Sequence, residues 1–333
     1  MFTQSLNLPI LISLATSSFA SADETIQRIG IIGCHKQNEP APALARYIEA
    51  KPDLLLWIGD NVYADTKKNP QFIQLSLDRL AAQEGFSELR KQVPFVVTWD
   101  DHDYGYNDAG KNYVFKKESK EIFREFWQMQ EHIPADRDGI YHSRYFETNG
   151  HKLQMILLDP RYNRDDPGPS ADTLGENQWK WLAEELRKPA DLRLLVSGYQ
   201  VLLDAESGSE TWALFPTARD RLFKTIREAK AEHLVFLTGD QHYGEVCRSR
   251  NVLGYDAIEL QFSGLNQIEK PEFNSTRVSA VSKSKHSYAM LDIQWEKSKT
   301  DAPHLLFQIH DATTKMAEVV YRVNFSEIES PKP

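Results

Sequence analysis

The chain has 333 residues, 41% hydrophobic and 26% charged, the composition of a globular protein long enough to bury one large core, so disordered and fibrous classes drop out. Its formal net charge of −9 argues against a stable nucleic-acid complex or broad binding to an anionic membrane. A small anionic substrate stays open, because a local cation can reverse the field inside a site.

From the N-terminus, residues 8–20 form an apolar run broken only by Ser, Thr and Pro and followed by Ala20-Ser21-Ala22. This reads as a signal peptide over residues 1–22, cleaved after Ala22, with a secreted or periplasmic mature domain at 23–333. No positive side chain stands between Met1 and Leu11, and an uncleaved N-terminal tail is the alternative. The run is too short to span a bilayer, and no later stretch approaches the ~20 apolar residues a transmembrane segment needs.

Apolar, strand-like runs follow at 28–33, 54–59, 94–99, 153–158, 192–197 and 234–238, several of them separated by helical stretches. The spacing predicts helices over 42–50 (Leu44, Tyr47 and Ile48 on one face), 70–91 (Phe72, Leu75, Leu77, Leu80 and Phe86 inward) and 118–131. Another is expected over 173–188, with a Thr173–Glu176 capping box and Trp179 packing in its apolar stripe. Alternation of strand and helix indicates a layered α/β fold. Past Tyr255, the runs 257–262, 288–295, 304–310 and 318–323 lack intervening helices, which predicts antiparallel hairpins completing a second sheet. Residues 162–172 read as a loop near the site, and no Ser/Gly-rich linker divides the chain.

Three apolar runs end in the same chemistry. Leu54 to Ile58 leads into Gly59-Asp60, Val96-Val97-Thr98-Trp99 into Asp100-Asp101-His102-Asp103, and Leu234 to Thr238 into Gly239-Asp240-Gln241-His242. In an open α/β sheet the carboxyl ends of the strands hold ligands, so these endings predict one polar cluster. Buried carboxylates at close quarters cost several kcal/mol each unless a cation offsets them, roughly the scale of a domain's whole stability. Helix capping by Asp is the alternative for any one motif, but it explains neither His102 nor His242. Cys34 closes another apolar run; it reads as a thiolate ligand or as an inert buried thiol, and a disulfide to Cys247, the second cysteine, is also open to a secreted chain.

Gly33-Cys34, Gly59-Asp60-Asn61-Val62-Tyr63-Ala64-Asp65, Thr98-Trp99-Asp100-Asp101-His102-Asp103, Leu158-Asp159-Pro160-Arg161-Tyr162, Gly175-Glu176-Asn177-Gln178-Trp179 and Gly239-Asp240-Gln241-His242 together resemble the alkaline phosphatase D family of the calcineurin-like metallophosphoesterase superfamily. The resemblance runs in order from about Ile29 to about Trp295. It implies a four-layer α/β/β/α sandwich with a bimetal centre at the strand ends. The wider superfamily has Asp where Cys34 stands, Asn where Asp101 stands, and Gly-His-x-His where Gly239-Asp240-Gln241-His242 stands; Cys at the first position follows the phosphatase D pattern.

That resemblance implies Cys34, Asp60 and Tyr63 as ligands of ferric iron, Fe(3+), with calcium, Ca(2+), beside it, Asp60 bridging and Asp101, Asp240 and His242 completing the set. Thiolate, carboxylate and phenolate are anionic donors that together favour a trivalent ion over zinc. Tyr63 would have to lose its proton; a packed, hydrogen-bonded aromatic is the alternative. By the same resemblance His102 is catalytic, protonating the leaving group or stabilising phosphoryl oxygens, with a ligand role as the alternative. Asp103 is expected to orient His102 or to make a salt bridge nearby, and Arg161 to clamp phosphate through its planar fork or to sit in a surface salt bridge.

The implied reaction is hydrolysis of phosphate esters, of phosphodiesterase or alkaline phosphatase type, by a metal-activated hydroxide. A phospholipase D-type hydrolase is the nearest alternative, and a non-catalytic, metal-loaded module for a phosphorylated ligand is the next. No Gly-x-Ser-x-Gly elbow or Walker loop offers a competing chemistry.

Overall fold

A computed structural model describes residues 25–296 and 301–331; the expected signal peptide lies outside the described residues. In chain order the elements are β1 (Arg28–Ile32), α1 (Pro42–Ala50), β2 (Leu54–Ile58), α2 (Gln71–Ala81), α3 (Phe86–Gln92), β3 (Phe95–Thr98), α4 (Asp101–Tyr104) and α5 (Lys116–Phe126). They continue with β4 (His142–Thr148), β5 (His151–Leu157), α6 (Glu176–Glu185), β6 (Leu192–Ser197), α7 (Pro216–Ala229), β7 (Leu234–Thr238) and β8 (Gly244–Ser249). The last four are β9 (Ala257–Phe262), β10 (Ser287–Gln294), β11 (His304–Asp311) and β12 (Ala317–Asn324).

Two six-stranded sheets result, ordered β12-β11-β10-β1-β2-β3 and β4-β5-β6-β7-β9-β8. The alternation of side chains across a strand explains why they stack. All of β2 is buried, yet Leu54, Leu56 and Ile58 join the core shared with the second sheet, whereas Leu55 and Trp57 pack with Leu44, Tyr47, Ile73, Leu77 and Phe86 of the outer helices. Burying such a side chain on either face stabilises by roughly 1.5–3 kcal/mol. Helices α6 and α7 cover the far face of the second sheet through Trp179, Leu182, Leu222 and Ile226, giving the four-layer α/β/β/α sandwich.

Several local expectations change. The 70–91 helix is two helices, separated by a turn in which Gly85 takes φ +87°. The inward stripe of α2 is Ile73, Leu77 and Leu80, while Phe72 and Leu75 are 53% and 50% exposed. No Thr173–Glu176 capping box forms: α6 begins after Gly175, and the Thr173 hydroxyl instead bonds the Pro160 carbonyl and the Tyr199 hydroxyl. The C-terminal hairpins β10-β11-β12 are antiparallel as expected but extend the first sheet, with β10 antiparallel to β1, while β9 enters the second sheet parallel to β7. Strands β4 and β8 lie at the two edges of the second sheet and have no apolar run to betray them.

Parallel strands β1-β2-β3 and β5-β6-β7 all end toward the same seam. Their carboxyl-terminal loops carry the polar residues of the site.

Candidate metal centre

Each loop is bent sharply where its strand stops. Cys34, Asp60, Asp240 and His242 all have positive φ (51°, 50°, 74° and 55°), a conformation that is uncommon for non-glycine residues and costs of order 1–3 kcal/mol each. Glycine supplies the space between the strand ends: a Cβ on Gly59 would lie 2.6 Å from the Asp100 Cβ, and one on Gly198 would lie 2.1 Å from Asp100 Oδ1.

The bends converge on Asp60. Its carboxylate belongs to three groups whose potential ligand atoms all lie within 4.8 Å of one another: with Cys34 and His242, with Asp101 and His102, and with Asp100, Asp101 and Asp240. Cys34 Sγ lies 3.5 Å from Asp60 Oδ2, and the Tyr63 hydroxyl is 3.2 Å from the same oxygen and 2.8 Å from His242 Nε2. Cys34, Asp60, Tyr63, Asp101, Asp240 and His242 are thus brought to one place, with His102 beside them.

Electrostatics without a cation are unfavourable. Burial and the neighbouring Asp101, Asp100 and Asp103 push Asp60 well above the usual carboxylate range; Asp240 is raised likewise, by burial and then by Asp100 and Asp101. Burial, then the charges around them, pushes the Cys34 thiol and the Tyr63 phenol up as well. Asp100 rises to about 8 through burial, partly offset by Arg161, and its Oδ2 is buried without a hydrogen-bond partner. Anionic donors that keep their protons for want of positive charge, beside an orphaned carboxylate oxygen, fit a site built for cations.

His102 donates its backbone N–H to Asp60 Oδ1 at 3.3 Å and to Asp101 Oδ1 at 2.9 Å, and its ring lies 4.1 Å from that of Tyr63. Its Nδ1 pairs with Asp65 Oδ1 at 2.7 Å. Burial opposes protonation of the ring, but Asp65 and Asp101 outweigh it and raise His102 to about 9. Among the described residues Asp103 makes no contact with the His102 ring and no salt bridge: its carboxylate accepts from the Asp100 backbone and from Asn61, capping the turn that presents Asp100 and Asp101.

Arg161 is fully buried, not at the surface. Its Nε donates to Asp100 Oδ1 at 2.5 Å, both terminal nitrogens engage the Glu210 carboxylate, and its guanidinium lies 4.8 Å from the Tyr199 ring centroid. Arg164 pairs with the same Glu210. The fork expected to face phosphate is turned onto two carboxylates.

Asp100, Glu210, Asp65 and Glu269 are residues to which sequence reasoning gave no role, although Asp100 stands in the Thr98–Asp103 motif beside Asp101. Glu269 Oε1 lies 3.1 Å from His242 Nδ1, the carboxylate partner a metal-ligating imidazole usually has. Asp65 closes the Gly59–Asp65 motif and was legible there; Glu210 and Glu269 sit in loops with no motif. Cys34 and Cys247 are both buried and free; Cys247 lies in β8 and bonds Glu245 and Asn274 rather than the donors around Asp60.

Two stacked sheets with acidic, thiol and imidazole donors at their common seam define a calcineurin-like metallophosphoesterase fold. The profile of the PhoD-like phosphatase family matches residues 30–322, and the chain belongs to that family. Alkaline phosphatase D of Bacillus subtilis (strain 168) is 26% identical over 182 residues, which cover 45% of this chain and only 31% of that relative's length. The structure of PhoD superposes with a TM-score of 0.61 at 16% identity, over 91% of this chain and 73% of that one. Purple acid phosphatase PPD1 from yellow lupin (Lupinus luteus) seeds gives 0.63 at 14%, over 92% and 55%. GAP50, the anchor in the inner membrane complex of Plasmodium, gives 0.55 at 12%, over 92% and 89%.

Proposed function

We propose that the chain is a metal-dependent phosphoester hydrolase of phosphodiesterase or alkaline phosphatase type, secreted or periplasmic, with a signal at 1–22 and its catalytic domain at 23–333. The observation that carries the activity is Asp60, one carboxylate common to two sets of donors. Cys34, Asp60, Tyr63 and His242 would hold one ion, and the thiolate and phenolate favour Fe(3+) there; Asp60, Asp100, Asp101 and Asp240 would hold the other, an all-oxygen set suited to Ca(2+). Bound ions would supply Lewis acidity toward the phosphoryl oxygens and activate water for in-line attack. For export the support is the apolar N-terminal run; among the described residues no helix is long and apolar enough to cross a membrane.

The chain's own residues do the rest. With Nδ1 engaged by Asp65, His102 Nε2 is the ring nitrogen left to carry a proton to the departing alkoxide. Glu269 steadies the imidazole of His242, and Asp103 fixes the turn that carries Asp100 and Asp101. Arg161 offsets Asp100 and Glu210 beneath the centre.

A fold does not dictate chemistry, and GAP50 is an anchor on the same frame, so a non-catalytic, metal-loaded module is the second reading. The His102–Asp65 pair favours the enzyme, because a passive module has no use for a positioned proton donor. Phospholipase D-type hydrolysis differs only in the alcohol released. The test is elemental analysis of purified protein together with turnover on phosphate monoesters, diesters and a phospholipid. Iron with calcium, iron lowered in Cys34→Ser, and activity lost in His102→Ala with metal retained are expected. Stoichiometric zinc without iron sinks the metal assignment, and metal-loaded protein inert toward every ester sinks the hydrolase.

A further inference from the structure

With Arg161 buried against Asp100 and Glu210, an anionic ester approaching this acidic seam needs a different cation at the mouth. The surroundings there are otherwise repulsive, since Asp65 and Glu269 both stand exposed beside it.

Lys36 is the side chain in position. The loop after β1 is pinned at each residue: the Cys34 N–H donates to the Gly59 carbonyl and the His35 N–H to that of Asp60. Fully buried Asn266 then grips Lys36 from both sides, its Oδ1 accepting from the Lys36 N–H and its Nδ2 donating to the Lys36 carbonyl, each at 2.9 Å. The backbone of Lys36 is therefore as fixed as that of Cys34, while its side chain is exposed. Its ammonium lies 5.6 Å from the centroid of the Tyr63 ring, whose hydroxyl touches Asp60 and His242. Among the described residues no carboxylate forms an ion pair with Lys36. Other nearby cations are committed: Lys67 sits 4.3 Å from the Tyr106 ring centroid, Arg164 is bound to Glu210, and His102 is paired with Asp65 through its Nδ1.

We infer that Lys36 is the substrate-binding cation of this site, contacting an anionic phosphoryl oxygen on the side of the ester that faces solvent. This rests on the phosphoester reading and extends it to a residue outside the metal set. A point charge on a flexible stem binds oxygen anions without fixing one geometry, which suits a mouth that admits different alcohol groups.

The test uses metal-loaded parent, Lys36→Ala, Lys36→Arg and Lys36→Glu, with two readouts: calorimetric binding of inorganic phosphate, and kinetics on p-nitrophenyl phosphate and its bis-ester. Lys36→Ala should weaken phosphate binding and raise KM by roughly 5- to 20-fold, with kcat and metal content unchanged, because the contact is made in ground and transition states alike. Lys36→Arg should retain most of the affinity, Lys36→Glu should lose more, and the differences should shrink at high ionic strength. Phosphate affinity equal to the parent's in both Lys36→Ala and Lys36→Glu overturns the inference, even if the parent hydrolyses both esters. Lys36-dependent phosphate binding in a parent inert toward these esters and toward a phospholipid sustains it while removing the hydrolase reading.

Discussion

Replacing Arg161 with methionine should unfold the protein more easily rather than merely weaken its hold on substrate. The guanidinium is entirely buried, its Nε is 2.5 Å from Asp100 Oδ1, and its terminal nitrogens form a fork onto Glu210. Removing it strands buried Asp100 and leaves Glu210 to Arg164 alone, and breaking a buried pair from one side costs roughly 3–5 kcal/mol. For a chain of this length that corresponds to a fall of roughly 4–7 °C in the unfolding midpoint. Arg161→Lys should fall between, because an ammonium cannot engage Asp100 and Glu210 in the same fixed plane. Thermal unfolding followed by circular dichroism, at low and high salt, measures both. A cycle with Glu210→Gln should return a coupling of about 1–3 kcal/mol, since the two side chains are in direct contact and the double variant no longer leaves a carboxylate at 210 short of its bidentate partner. If Arg161→Met melts with the parent and differs only in KM, the guanidinium faces substrate after all and the clamp read from the sequence is restored.

Three further outcomes follow. Asp60→Asn should lose both ions and turnover together, because one carboxylate serves both donor sets; a variant that still holds two ions by elemental analysis refutes the shared role. Chelation should lower the unfolding midpoint by an amount that grows with the metal concentration used for reloading, as expected for a ligand bound only by the folded chain; an unchanged midpoint would mean the donors hold no ion. His142 is buried with its Nδ1 on the Ile140 carbonyl, and burial lowers its pKa to about 3 from an ordinary 6.5. A lowered histidine contributes stability above pH 6.5 that is lost as pH falls toward 3, about 2 kcal/mol between pH 8 and pH 5. His142→Asn should flatten that part of the pH dependence of unfolding, and an unaltered slope would show that the histidine is not its source.

The parallel strands were legible because their residues are buried on both faces: Leu54 to Ile58 is an uninterrupted apolar run, and so is Leu234 to Leu237. The residues just beyond those runs were legible for the same reason, as a polar side chain at the end of a buried strand has few places to go. What failed was whatever depends on a partner distant in sequence. Hairpin pattern in β10 to β12 does not say which sheet they join, and that is decided by β10 pairing with β1 across Gly30. In α2 the phase was misread because Phe72 and Leu75 are apolar yet face outward, while Ile73 sits inward. Arg161 was correctly brought to the site by its strand, but Glu210, which turns its fork away, arrives from a loop that no pattern marks.

Charge balance explains why Arg161 and Lys36 stand where they do. Asp60, Asp100, Asp101 and Asp240 crowd one seam, and left-handed backbone at Cys34, Asp60, Asp240 and His242 adds strain to their repulsion. A guanidinium beneath them reduces that repulsion permanently; on its account Asp101, although buried, stays below the ordinary carboxylate value while Asp60 and Asp240 rise. A second fixed cation inside the cluster would compete with the metal ions for the same oxygens. Positive charge meant for substrate therefore belongs outside the ligand set, on a side chain whose backbone is anchored but whose head is free, and Lys36 over the Tyr63 ring meets that requirement. Buried Arg161 thus stabilises the carboxylates, and the phosphate contact that the sequence reading gave to Arg161 falls to exposed Lys36.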